Sequence, residues 1–310
     1  MKNIPIKCPC DVKSDLKRYE DKYICNEKSC IHNNESKSFL IKKKKPILIS
    51  KEKTDTLFEY KEFLQNKRNI IFDSIKEKFN FSYRKTKNNC EKFINEVFKN
   101  ESNPKILVIG GATKGLGTSM LWENKKFEIH SVDIVFSKNI DLICDAHYLP
   151  LKSNYYDGVW IQAVLEHVVE PIKVVREIHR VLKNKGTVYA ETPFMQQVHA
   201  GSTDFTRYTV LGHRFLFKDF SAISIGGNKG PELVFVWSFK YLILSLTRSI
   251  LLSKLLGKCL EFLFSPLALF TSKKSMYDAS SGVFFLGRKE VVQQITHSQL
   301  KKLYKGHFDK

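Results

Sequence analysis

Three groups of residues in this 310-residue chain could carry chemistry by their types and spacing. Near the start, Cys8, Cys10, Cys25 and Cys30 offer thiols as C-x-C, fourteen residues, then C-x4-C. Two thiolate pairs brought together make a tetrahedral set suited to Zn2+, with His32 available as a substitute ligand. In mid-chain, "ILVIGGATKGLGT" is an apolar run that opens into four glycines within eight positions. Glycines after a buried strand let the backbone take positive φ and come close to a ligand. Twenty-three residues after Gly110 stands Asp133, a carboxylate placed to accept both hydroxyls of a ribose. Dinucleotides and other nucleoside ligands share that arrangement. A third group, "HAGSTDFTRYT", collects His199, Asp204, Arg207 and Tyr208 within ten residues.

Strands and helices must hold these groups. "KILVIGG", "FEIHSVDIV", "YYDGVWIQAVLEH" and "GTVYAETP" each read as a buried strand. Between the last two, "EPIKVVREIHRVLKNKG" predicts a helix with Ile172, Val175, Ile178 and Leu182 on one face and Gly186 at its C-terminal stop. Alternating strands and helices predict an α/β fold whose mostly parallel sheet is covered on both sides. Ligands bind such sheets at the carboxyl ends of the strands, where the glycine loop falls. Residues 54–100 are polar and helical in pattern, with apolar pairs Leu57/Phe58, Phe63/Leu64, Ile70/Ile71 and Phe93/Ile94 marking a connector packed on the core.

The run from Leu142 to Pro193 resembles the class I S-adenosylmethionine-dependent methyltransferases, in particular their type-11 group. The matching residues are Asp145-Ala146, Leu149-Pro150, Tyr156-Asp157, Leu165-Glu166-His167 and Arg180-Val181-Leu182-Lys183, in order and spacing. The resemblance implies a Rossmann-like sheet, mostly parallel with a final antiparallel strand. It also implies S-adenosylmethionine as cofactor, with Gly110, Gly111 and Gly115 around its methionine end and Asp133 on the ribose. Asp145 would accept from the adenine amino group, Ala146 would pack on the ring edge, and Gln162 would lie beneath the cofactor. One position departs: the acidic residue usual two places before the first glycine is Val108 here.

"TPFMQQVHAGSTDFTRYTVLGHRFLFKDF" resembles the substrate lip of a subset of these enzymes associated with cell-surface polysaccharide synthesis. Methyl transfer to a sugar hydroxyl requires alignment of the acceptor and removal of its proton. His199, with Asp204, is the first candidate base and His167 the second, while Arg207 and Tyr208 could grip a polar or anionic group of the substrate. The same residues also read as a structural ion pair with a packed tyrosine. "KCPC", with the later "SFLIKKKKPILIS" and its Pro46, resembles a small zinc-ribbon family fused to or partnered with methyltransferases.

A formal charge of +19 suits an anionic partner, or simply a lysine-rich composition. Nucleic acid is disfavoured, because the chain lacks interleaved aromatic and basic residues that would stack bases. "MKNIPIKCPC" has no apolar h-region of a signal peptide, so the seven cysteines are expected reduced in a cytosolic setting. Cys90, Cys144 and Cys259 read as small apolar fillers. Residues 232–270 are dense in Leu, Ile and Phe, but Lys240, Arg248, Lys254, Lys258 and Glu261 interrupt any membrane-spanning run. On one helical wheel these charges share a face. This suits a helix in the lipid interface broken near Gly257 and Pro266, or else a lid or dimer helix buried on protein. The expected organisation is a zinc-ribbon-like module (1–50), a helical connector (51–103), a methyltransferase core (104–231), a hydrophobic membrane-associating insertion (232–272), and a last core strand with its tail (273–310). The expected acceptor is a sugar of a glycan or lipid-linked saccharide at the cytoplasmic membrane face. Alternatives are another membrane-embedded small molecule such as a quinone precursor, and a non-catalytic binding protein on a degenerate fold.

Overall fold

Apolar strands flanked by glycine and carboxylate become, in the computed structural model, the middle of a seven-stranded sheet. The structure describes residues 2–10, 13–50, 52–53, 84–290 and 295–308. The pairs predicted at Leu57, Phe63 and Ile70 lie outside the described residues. The main sheet comprises β5 (Lys105–Ile109), β6 (Glu128–Asp133), β7 (Leu142–Ile143), β8 (Tyr156–Gln162), β9 (Leu182–Pro193), β10 (Ser221–Lys229) and β11 (Gly282–Arg288). Its order is β10-β11-β9-β8-β5-β6-β7. Five strands run parallel from β9 to β7, and β11 lies antiparallel to both of its neighbours. The mostly parallel sheet with a final antiparallel strand is thus present.

Strand alternation sorts the core onto two faces. Leu107, Ile109, Val159 and Ile161 pack with Val174, Val175 and Ile178 of α3 (Pro171–Val181). Ile106, Val108 and Trp160 pack with Phe93 and Val97 of α1 (Arg84–Phe98) and with Leu121 of the short α2 (Ser119–Trp122). The helix face shifts slightly from the predicted one: Ile172 is exposed and Val174 is buried. The helix ends at Val181, and Gly186 sits inside β9, where the adjacent Lys185 makes the left-handed turn.

The N-terminal residues build a second sheet, β1 (Leu16–Tyr19), β2 (Lys22–Cys25), β3 (Phe39–Lys42) and β4 (Lys45–Pro46), in sequential order. It is fused to the main core: Cys8, Tyr23, Cys25, Phe39 and Leu48 share one hydrophobic cluster with Leu142, Leu149 and Leu151. Ile47 bridges in parallel to Ile143, and the Leu48 amide donates to the Ile143 carbonyl at 2.9 Å. The module's tail therefore covers an edge strand whose backbone groups would otherwise invite another chain.

The insertion between β10 and β11 is two helices, α5 (Pro231–Thr247) and α6 (Ile250–Phe264). The chain reverses at Arg248, which adopts φ 54°, so the expected break is here and not at Gly257. Gly257 instead sits mid-helix against the Lys240 side chain, and Ser253 Oγ donates to the Lys240 carbonyl at 2.7 Å. Pro266 falls in a 3-10 turn, Ser265–Leu269, after α6. Because the segment folds back, a single helical wheel does not describe it: Lys240 turns inward, its ammonium 4.2 Å from the centroid of the Trp237 ring. Leu251, Phe262 and Phe270 stand 79–82% exposed. Among the described residues no helix is long and apolar enough to cross a membrane.

Candidate active site

The register of the parallel strands brings four chemically useful positions to one carboxyl edge. Ile109 pairs with Val132 and with Ile161, and Gln162 pairs with Glu191. Gly110, Asp133, Gln162 and Glu191 therefore end neighbouring strands. A cavity of about 260 Å³ opens there, lined among others by Gly110, Gly115, Trp122, Trp160, Gln162 and Glu191. A larger opening of about 530 Å³ lies between the N-terminal sheet and the core, rimmed by Lys2, Arg18 and Lys43–Lys45. It holds none of the residues the sequence marks for chemistry.

The glycines serve different ends. Gly110 takes φ 79°, and a Cβ there would lie 2.1 Å from Val164 Cγ2. Gly111 does not line the cavity; its missing Cβ makes room for Ser131 Oγ of β6, 1.9 Å from where that atom would be. The missing side chain lets the loop seat closely on the sheet. Gly115 faces Gln162, whose Oε1 would be 2.3 Å from an added Cβ. Ala163, next along the cavity wall, is a non-glycine residue at φ 54°, a conformation that costs energy and is held by the hydrogen bond its N–H donates to the Glu191 carbonyl at 2.9 Å.

Asp133 and Asp145 turn inward more than expected. Asp133 accepts from the Ala112 amide at 2.9 Å and the Val135 amide at 3.1 Å, clipping the glycine loop to β6. Burial raises its pKa against these hydrogen bonds. Asp145 caps the 3-10 turn Ala146–Tyr148, accepting from the His147 amide at 2.8 Å and pairing with His147 Nδ1 at 2.7 Å. Ala146 packs against the main core. None of the three lines the 260 Å³ cavity.

Glu191 is the residue that sequence reasoning missed. Its Oε2 accepts from Tyr189 Oη at 2.8 Å and Thr86 Oγ1 at 3.1 Å, and its Oε1 from Gln162 Nε2 at 3.4 Å. Trp160 stacks on Tyr189 with centroids 4.0 Å apart. Val108, where the resembling family carries an acid, borders the same cavity, so a carboxylate enters it from β9 instead of β5. The one available signal was a glutamate at the end of the apolar run "GTVYAETP", where burial demands a partner.

A second polar group follows β8. Glu166 is fully buried with neither carboxylate oxygen hydrogen-bonded among the described residues, and burial pushes its carboxyl up to about 8. His167 Nε2 lies 3.7 Å and His199 Nε2 4.0 Å from Glu166 Oε1. His167 Nδ1 bonds the Thr203 carbonyl at 2.7 Å, and His199 Nδ1 lies 3.3 Å from Asp204 Oδ2. Burial lowers the His199 pKa, while Asp204 opposes the shift. The structure thus brings the two candidate bases, His199 beside Asp204 and His167, to one place together with Glu166.

Arg207 is not free to grip a substrate. Its guanidinium forks onto both oxygens of Asp204 and also donates to the Gln196, Gln197 and Thr206 carbonyls. All five N–H donors are used inside the lip, so its work is to shape that loop. Tyr208 packs beside Val210, Tyr277 and Val283, 5.8 Å from the His213 ring. Arg207 is thus engaged within the lip, while Tyr208 is half-buried at its edge.

The four cysteines converge, with one sulfur from each of Cys8, Cys10, Cys25 and Cys30 lying within 4.8 Å of all the others. His32 stands apart from them, its Nδ1 on the Lys37 carbonyl at 2.9 Å and its Nε2 on Ser50 Oγ at 3.0 Å, so it is not a substitute ligand. Cys90 and Cys144 are buried fillers as expected, whereas Cys259 is exposed on α6.

Residues 118–190 match a family model described as a methyltransferase domain. The chain carries an S-adenosylmethionine-dependent methyltransferase domain. A comparison with curated proteins found no match. Among solved structures the chain is similar to one provisionally described as a sarcosine dimethylglycine methyltransferase from Galdieria sulphuraria, with 16% identity over 66% of this chain and 85% of that one, at a TM-score of 0.44. It is also similar to Haemonchus contortus phosphoethanolamine N-methyltransferase 2 in complex with S-adenosylmethionine, with 14% identity over 64% and 52%, at 0.40. A third is geranyl diphosphate C-methyltransferase from Streptomyces coelicolor, with 12% identity over 65% and 75%, at 0.41. The cavity's lining fits the methionine end of this cofactor: Gly110 and Gly115 admit close approach, and Glu191, Lys114 and Lys229 bring charges of both signs to a group that carries an ammonium, a sulfonium and a carboxylate.

Proposed function

We propose that the enzyme methylates a hydroxyl of a glycan or lipid-linked saccharide at the cytoplasmic face of a membrane. The cavity where the glycine loop meets Glu191 and two tryptophans carries the cofactor part of this reading. S-adenosylmethionine supplies a methyl group activated by an adjacent positive sulfur. Gly110, Gly115, Gln162 and Glu191 would hold its methionine end, and Asp133, whose carboxylate keeps acceptor capacity beyond the hydrogen bonds it takes from backbone amides, would meet the ribose.

The acceptor class is supported by the lip. An amine is nucleophilic once neutral, but a hydroxyl must lose its proton as the new bond forms. Glu166, His167 and His199 cluster at the end of the same strand as Gln162, with Asp204 fixing one imidazole. The polysaccharide-associated pattern of this lip supports a sugar as the hydroxyl's bearer. Membrane contact is supported by the exposed apolar surface of α5 and α6, with Lys254 and Lys258 exposed beside Leu251, Leu255 and Phe262. Apolar residues of this size outside a bilayer or partner would leave an uncommonly large wet patch. The four-sulfur cluster supports one structural zinc, which would tie the N-terminal sheet together.

Purified protein with methyl-labelled S-adenosylmethionine should transfer label to the lipid-linked saccharide or polysaccharide fraction of its own cells. Label in a quinone-like lipid would support that acceptor instead. No cofactor binding, unchanged by Asp133→Ala or Glu191→Gln, would leave a non-catalytic fold.

A further inference from the structure

We propose that Glu166, His167 and His199 form a site for one divalent transition-metal cation that offers an open coordination position to an oxygen of the acceptor. The proposal deepens, and rests on, the reading of a hydroxyl acceptor. Each residue supplies one candidate ligand atom, and the three atoms lie within 4.8 Å of one another. Two donors each about 2.1 Å from an ion can stand at most about 4.2 Å apart. The two Glu166–imidazole separations, 3.7 and 4.0 Å, already meet this limit. Those same distances are too long for hydrogen bonds, so the carboxylate and the imidazoles do not satisfy each other.

The burial of Glu166 is the independent observation. A carboxyl group with no exposed surface and, among the described residues, no hydrogen-bond partner on either oxygen leaves polar atoms unsatisfied even when it is protonated, and a bound cation, which would displace that proton, satisfies them. The surroundings of the imidazoles agree. In metal sites the remote ring nitrogen of each histidine is usually held by a carbonyl or carboxylate, which fixes the tautomer and aims the other nitrogen's lone pair at the ion. His167 Nδ1 is held by the Thr203 carbonyl, and His199 Nδ1 faces Asp204, itself gripped by Arg207. Both Nε2 atoms are left toward Glu166. Arg207, consumed inside the lip, thereby acts on the site through Asp204.

Two imidazoles and a carboxylate suit Mn2+ or Zn2+, in contrast to the all-thiolate set at the N-terminus, which selects zinc. Three protein ligands leave positions open, and an oxygen bound there ionises far more readily than in water.

The test uses the full chain with its cysteine cluster loaded with zinc, titrated with Mn2+ and followed by electron paramagnetic resonance. One equivalent should bind, and Glu166→Gln, His167→Ala and His199→Ala should each weaken binding at least tenfold. Glu166→Gln keeps shape and removes only charge, so its loss of Mn2+ would not report misfolding. No Mn2+ bound by the parent protein, or equal binding by all three variants, would overturn the site. S-adenosylmethionine binding is measured on the same samples by calorimetry. If it persists without Mn2+ binding, the cation site alone is wrong; if it is absent, the methyltransferase reading fails.

Discussion

His213 makes the stability of this fold depend on pH in a way that can be calculated. It lies on α4 (Val210–Leu216), 1% exposed, between the Phe217 ring at 5.2 Å and the Tyr208 ring at 5.8 Å. Neither ring nitrogen has a hydrogen-bond partner among the described residues. Burial lowers its pKa from 6.5 to about 3. The unfolded chain therefore takes up a proton below pH 6.5 that the folded chain refuses until near pH 3, so stability falls as pH falls through that window. Between pH 7.5 and pH 5 the loss from this residue is about 2 kcal/mol, since each of the 1.5 pH units below 6.5 is worth about 1.4 kcal/mol. His213→Leu cannot take up the proton. Any packing change it causes is the same at both pH values and cancels in the difference. Urea unfolding of both proteins at pH 7.5 and pH 5 should show the parent losing about 2 kcal/mol more than the variant. Equal losses would refute the buried, unpartnered environment assigned to this ring.

Glu191→Gln should weaken S-adenosylmethionine binding at least tenfold in calorimetry, about 1.4 kcal/mol, because it removes the one carboxylate that lines the cavity among the described residues. Gly111→Ala should lower the melting temperature by several degrees through the clash with Ser131, whereas Gly115→Ala, which meets only the movable end of Gln162, should chiefly impair cofactor binding. Cys8→Ser with Cys25→Ser should abolish bound zinc by atomic emission. It should also lower the single unfolding midpoint of the whole chain, since both cysteines sit in the shared core. Leu251→Asp with Phe262→Asp should abolish sedimentation with vesicles containing anionic lipid while leaving the melting temperature within a few degrees, because both side chains are solvent-facing.

What the sequence determined by itself is what short-range pattern can encode. Apolar runs located β5, β6, β8 and β9, and their alternation with helices dictated a parallel sheet. The ordered residues from Asp145 to Lys183 carried the methyltransferase reading, and the cysteine spacing predicted four sulfurs that do meet. Tertiary structure decided whatever depends on partners distant in the chain. Asp145 bonds inward, Arg207 spends every donor on its own loop, and Gly111 yields to a serine twenty residues away. Glu191 reaches the cavity from β9, two strands away from Val108, and Glu166 lies beside two histidines thirty-two residues apart. A residue's type shows which bonds it can make, but the bonds it makes depend on which groups folding brings within three or four ångströms. Only there do burial and geometry turn a carboxylate into a cap, a clip or a ligand.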